Sequence, residues 1–119
     1  MIAVIFEVRP TAEGRDAYFQ WAARLRDELQ RIDGFISVER FESLSEPGKL
    51  LSLSFWRDEA AVQQWRNLAL HRQAQGAGRG GLFADYRLRV AEVQRDYGLH
   101  EREQAPTDSR AVHRTDRPA

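Results

Sequence analysis

Apolar residues crowd the start of the chain with almost no break. Ile2, Val4, Phe6 and Val8 fall on one face of an extended segment, and Ala3 and Ile5 on the other. A strand that is apolar on both faces belongs in the middle of a sheet covered on both sides; Pro10 ends it. The period then lengthens. Thr11 offers an oxygen to cap a helix, Glu13 suits its first turn, and Tyr18, Trp21, Ala22, Leu25, Leu29 and Ile32 recur along one helical face. Arg15, Gln20, Arg24, Asp27 and Arg31 occupy the opposite face, and Asp33-Gly34 is a stop signal.

The next stretch, 35–42, alternates, with Phe35, Ser37, Glu39 and Phe41 on one side and Ile36 and Val38 on the other. A turn at Glu46-Pro47-Gly48 leads back into a strand over 50–56, which predicts a hairpin. Asp58 then caps a second helix running to about Leu70, with Val62, Trp65, Leu68 and Ala69 on its apolar side. Gly76, Gly78, Gly80 and Gly81 break it, and 83–93 forms the last strand with Tyr86, Leu88 and Val90 on one face.

The order β-α-β-β-α-β predicts an α+β, ferredoxin-like unit: a four-stranded antiparallel sheet with two helices on one face. The other face is then bare although the strands are apolar on both sides. A closed two-fold homodimer, packing bare face on bare face, resolves that conflict. The unit spans residues 1–97. Residues 98–119 are polar, alternate in charge and carry Pro106 and Pro118, so they read as a C-terminal tail, disordered or draped over the partner subunit.

Composition narrows the function classes. The chain has 119 residues, and Lys+Arg and Asp+Glu both total 18. A balanced charge argues against a nucleic-acid binder, which needs a basic excess, and against an anionic membrane surface as partner. With no cysteine there is no disulfide, thiolate metal site or cysteine nucleophile. The apolar N-terminus reaches Glu7 too soon for a signal peptide or a membrane span, so a cytoplasmic location is expected. No HxxxH or HxH pair is present for a metal, no serine sits in a nucleophile elbow, and the glycine run has no Gly-Lys-Ser/Thr after it.

Titratable and aromatic groups gather between Phe55 and Tyr97. His71 is the one histidine inside the folded part, and its ordinary titration range makes it a candidate general base. It follows Trp65 by six residues, about 600° around a continuous helix. That spacing separates the two unless the helix kinks or ends between them; otherwise His71 is an exposed helix-end residue. Trp21, Trp56, Trp65, Phe83 and Tyr86 either line an aromatic pocket between helices and sheet or serve as core packing. Arg72, Arg79, Arg87 and Arg89 are candidates to hold an anion, Arg87 and Arg89 being equally a solvated or dimer-interface row. The glycine run suggests a mobile loop at the pocket mouth.

The run Ser54-Phe55-Trp56-Arg57-Asp58-Glu59-Ala60-Ala61, followed by Trp65 and His71, resembles the antibiotic biosynthesis monooxygenase family. Gly34-Phe35 and Tyr86-Arg87-Leu88-Arg89-Val90 extend the resemblance over residues 1–97. It implies a dimeric α/β barrel and a monooxygenase that oxidises a small electron-rich aromatic or quinol with O2 and no cofactor. His71 would then be the base, Trp65, Tyr86, Phe83, Trp56 and Trp21 the substrate-binding walls, and Arg87 an anion stabiliser. Relatives that bind and break down haem carry an asparagine, a tryptophan and a histidine where this chain has Glu7, Trp65 and Gln75. A non-catalytic ligand-binding dimer of stress response is the third reading. The asparagine that cofactor-free relatives place one turn before the tryptophan is Ala61 here.

Overall fold

The strand with two apolar faces takes a central place. In the computed structural model, which describes residues 1–113 with the side chains of 69, 70, 78, 79 and 113 outside that description, β1 (Ile2–Pro10) lies between β3 (Leu50–Trp56) and β4 (Phe83–Glu92), and β2 (Phe35–Glu42) closes the far edge. Every neighbouring pair is antiparallel. Helix α1 (Arg15–Gln30) connects β1 to β2; α2 (Glu59–Arg66), α3 (Ala69–Ala77) and a wide turn over Gly78–Leu82 connect β3 to β4. This is the expected ferredoxin-like α+β architecture.

Register divides the side chains between two faces, because successive residues of a strand point oppositely. Ile2, Val4, Phe6 and Val8 share the helix side with Leu50, Ser52, Ser54 and Trp56. Leu29 of α1, Trp56, and Ala61 and Val62 of α2 form one buried cluster; Val8, Tyr18 and Leu50 form another. Trp56 is wholly buried, and its Nε1–H donates to Ser54 Oγ at 2.9 Å, so its one polar atom is satisfied. The other face carries Ala3, Ile5, Leu51, Leu53, Phe55 and Phe41.

Several boundaries differ from the sequence pattern. Helix α1 begins at Arg15, one turn later than a Thr11 cap implies. Thr11 Oγ1 does accept a backbone N–H, that of Gly14 at 2.9 Å, while Thr11 N donates to Leu82 O at 2.8 Å and ties the turn before α1 to the start of β4. A Cβ on Gly14 would lie 2.5 Å from Leu82 O, so only glycine permits that approach. Phe35 packs against the core, away from Ser37 and Glu39, because a bulge at Ile36 inserts one residue against β3 and resets the phase. The same effect near Pro10 brings Phe83 onto the face of Tyr86. Gly34, at φ 95°, turns the chain into β2, where a Cβ would meet that of Ala61 at 2.9 Å. Asp58 caps α2 as expected, accepting from Ala61 N at 3.0 Å.

The second helix does not run unbroken to Leu70. It ends at Arg66, turns at Asn67 and Leu68, and restarts as α3, which carries Gly76 within it rather than breaking there. The segment after β4 also has more order than a bare tail. Asp96 N donates to Gln104 Oε1, Arg102 lies over the Tyr97 ring, and α4 (Thr107–His113) follows. Residues 114–119 of that tail lie outside the described residues.

Trp56→Ala removes the largest fully buried side chain and should cost about 3–5 kcal/mol in denaturant unfolding. Ile36→Ala, at a bulge residue 52% exposed, should stay within about 0.5 kcal/mol of the parent.

Candidate active site

The break between α2 and α3 creates the site. Where α2 stops, the Trp65 carbonyl accepts a tight-turn bond from Leu68 N at 3.2 Å, and His71 adds a second contact, Nδ1 lying 2.9 Å from the same oxygen. A carbonyl only accepts, so Nδ1 carries the proton; in the neutral ring Nε2 is then the basic nitrogen. The imidazole lies flat on the indole, with ring centroids 4.2 Å apart and planes 14° from parallel. Trp65 in turn packs against Trp56 at 6.2 Å. Arg72 spans the break, donating to Asn67 Oδ1 at 2.8 Å and to Gln75 Oε1 at 3.1 Å. Of the two readings of the six-residue spacing, the one with a break between Trp65 and His71 is therefore present.

Beside this stack lies a cavity of about 350 Å³ between the helices and the helix side of the sheet. Trp21, Trp65, His71, Phe83 and Tyr86 all line it. Phe6, Phe83 and Tyr86 make an aromatic cluster with centroids 5.7 to 6.0 Å apart. Tyr86, Leu88 and Val90 line the cavity yet remain about half exposed, so it opens along the β4 edge. Trp56 is not on the wall; it lies beneath it, buried behind Trp65.

Arg87 is the misplaced candidate. Strand alternation sets it opposite Glu7 on the bare face, and Arg89 opposite Ile5, while Tyr86 and Leu88 face the cavity. Neither arginine reaches the site of its own chain. The cations that do line it are Arg40, Arg66 and Arg72, with no aspartate or glutamate among the lining residues. Arg79's side chain lies outside the described residues. Arg40 and Ser52 escaped the sequence reading, although one signal was available: a charged residue in phase with Val38, on the inward side of an alternating strand.

Burial holds the His71 pKa below the ordinary histidine value of 6.5, and the nearby Arg72 charge lowers it further, against the raising effect of the Trp65 carbonyl. Near neutral pH the ring is thus neutral, as a proton acceptor needs to be. Of the three positions of the haem-degrading pattern, Trp65 and Gln75 line the cavity and Glu7 faces away from it, while His71, beyond the helix break, is the histidine on the wall that could ligate an iron. Among the described residues no group of three or more histidine, aspartate or glutamate side chains could hold a metal. No helix among them is long and apolar enough to cross a membrane.

A family model described as antibiotic biosynthesis monooxygenase matches residues 1–77. The chain is 54% identical over 93 residues to the jasmonate monooxygenase ABM of Pyricularia oryzae, which takes in 78% of this chain and 43% of that protein. It thus spans less than half of that relative's length. It is 30% identical over 93 residues to YqjZ of Bacillus subtilis, covering 78% of this chain and 79% of YqjZ. Among solved structures, one from Deinococcus radiodurans, described provisionally as an antibiotic biosynthesis monooxygenase, superposes with a TM-score of 0.74 at 20% identity over 83% of this chain and 98% of its own. A conserved protein of Methanosarcina mazei gives 0.70 at 17% identity, over 78% and 92%.

His71 should titrate with an NMR midpoint below 6.5. Its lowered pKa means the unfolded chain binds the more protons just under pH 6.5, so the contribution to stability is complete above that pH and is lost as pH falls through the native pKa. The difference in unfolding free energy between the parent and His71→Gln should therefore narrow on acidification. A midpoint at or above 6.5 would contradict the assignment.

Proposed function

Because this chain belongs to the antibiotic biosynthesis monooxygenase family, we propose that it is a cofactor-independent monooxygenase acting on a small, electron-rich ring compound. The observation that carries this reading is the His71 ring, held by the Trp65 carbonyl and stacked on the Trp65 indole at the wall of an aromatic cavity. A neutral imidazole with Nδ1–H engaged offers Nε2 as the base. It takes a proton from the substrate, and the resulting anion passes one electron to O2. The two radicals combine to a hydroperoxide, which loses water to leave a carbonyl. One oxygen atom enters the product and the other leaves as water. All four electrons come from the substrate, so no external reductant is needed.

Trp65, Trp21, Phe83 and Tyr86 would hold the ring and exclude water, and the lining arginines would stabilise the anion. Arg87 has no part in this from within its own chain. The name of the Pyricularia relative puts jasmonate among the first compounds to assay.

The protein would act as a homodimer. Ala3, Ile5, Phe41, Leu51, Leu53 and Phe55 make an apolar field on the bare face, flanked by Glu7, Glu39, Arg87 and Arg89. Such a face, apolar at its centre and charged at its rim, has the make-up of an interface core.

Oxygen uptake with anthrone, quinol and jasmonate substrates tests the reaction, and 18O2 should place a single labelled atom in the product. His71→Ala should lower turnover by about 10²–10⁴-fold; equal rates in variant and parent would remove His71 as the base. In sedimentation the parent should run as a dimer and Leu53→Arg as a monomer. A monomeric parent would sink the pairing.

A further inference from the structure

The geometry points to Arg40 as the anchor for an acid group on the ligand, so that the cavity takes a small molecule with a ring at its β4 end and a carboxylate at its β2 end. This rests on the cavity being the substrate site, as proposed above, and names the class of molecule it accepts.

The three lining arginines are not equivalent. Arg66 lies 3.8 Å from Glu59, and Arg72 is engaged by Asn67 and Gln75. Arg40 has no carboxylate or hydrogen-bond partner among the described residues, and its Nε is buried without one. A guanidinium N–H taken out of water and left unmade costs free energy that a bound acceptor recovers. The planar fork of N–H groups matches a carboxylate in two places at once. Among the described residues no acidic side chain lines the cavity to compete for Arg40 or to repel an anion.

The floor of the cavity is graded in the same sense. Arg40, Ser52, Phe6 and Leu88 pair in one row across β2, β3, β1 and β4. The row thus runs from a cation and a hydroxyl to an aromatic ring and an aliphatic chain. With strands about 4.8 Å apart, the Arg40 and Phe6 backbones are separated by about 10 Å. Once the arginine's own length is taken off, a few bonds remain between the acid and a ring seated against Phe6, Phe83 and Tyr86. At the β4 end the lining carries no cation and is aromatic and aliphatic, with the Tyr86 hydroxyl its one side-chain polar group among the described residues of that strand.

Phenylbutanoate and its methyl ester share a ring and chain and differ in charge, and both can be titrated by quenching of the tryptophans that line the cavity. The acid should bind the parent protein about tenfold or more tightly than the ester, a discrimination of the size expected when a built polar partner is present or missing. Arg40→Met should erase the difference while leaving ester binding in place, Arg40→Lys should restore part of it, and Arg31→Met, at an exposed helix end away from the cavity, should keep it. If Arg40→Met does not fold, Arg40→Gln set against Arg40→Lys gives the same reading. Equal affinity for acid and ester, a preference that survives loss of the Arg40 charge, or failure to bind either compound would overturn the inference. Binding is read without turnover, so the two proposals fail separately. A protein that holds the acid through Arg40 but consumes no oxygen loses the monooxygenase reading alone. One that oxidises neutral ring compounds and shows no preference for the acid loses the anchor alone.

Discussion

The carbonyl of Trp65 is where the second helix stops, and the His71 ring bonds to it beside Leu68 N, which closes the last turn at 3.2 Å. Much of the site's form follows from that shared acceptor. The chain turns at Asn67, α3 runs along the cavity, and Arg72, Ala74 and Gln75 form part of its wall. The same bond fixes the tautomer of the imidazole. The side chain at the helix end thus has its plane set by the indole beneath it.

The sheet imposes a second constraint. With a side-chain period of two, each strand divides its residues between a face under the helices and a face without cover. Val4, Phe6, Ser52 and Leu88 serve the cavity; Ile5, Leu51, Leu53 and Arg89 serve the other side. A residue cannot serve both faces. That is why Tyr86 and Arg87, adjacent in sequence and both attractive as site residues, end up on opposite sides of the sheet. It also makes the two faces independent in composition: the apolar field opposite the helices leaves the arginines and aromatic rings of the cavity free to vary.

The fold was largely legible because its signals are periodic. Four strands, the first helix, the Asp58 cap and the bare face follow from alternation, from 3.6-residue spacing and from one carboxylate placed before a helix. Most of the aromatic set was legible for the same reason, since Trp21, Trp65 and Tyr86 lie on an inward phase, whereas Phe83 joins them only through the irregularity near Pro10. The remainder depended on departures from period. Nothing in the local pattern marks Asn67 as a break, because the stabilising partner is a side chain reaching back from His71. The bulge at Ile36 moved Phe35 into the core, and the inward lean of Arg40 shows only once β2 is registered against β3. Arg87 faces away from the cavity of its own chain although it adjoins Tyr86 in sequence, because proximity along a strand counts for little. The order found after Asp96 arises from contacts such as Asp96 with Gln104 and Arg102 with Tyr97, between polar groups whose composition alone suggested none.

The bulge at Ile36 bears on how the chain tolerates change in length. Phe35 already sits opposite Trp56 and Ser37 opposite Phe55, with Ile36 the surplus residue between them. Losing that residue would restore regular pairing and leave Phe35, Val38 and Arg40 on the sides they now occupy. With the bulge kept, loss of Val38 would instead exchange the two faces of β2 beyond it, turning Glu39 inward and Arg40 outward. The strand therefore has a short stretch at its bulge where a codon can be dropped without changing the faces, next to a position where the same loss would reverse what the cavity presents to a ligand.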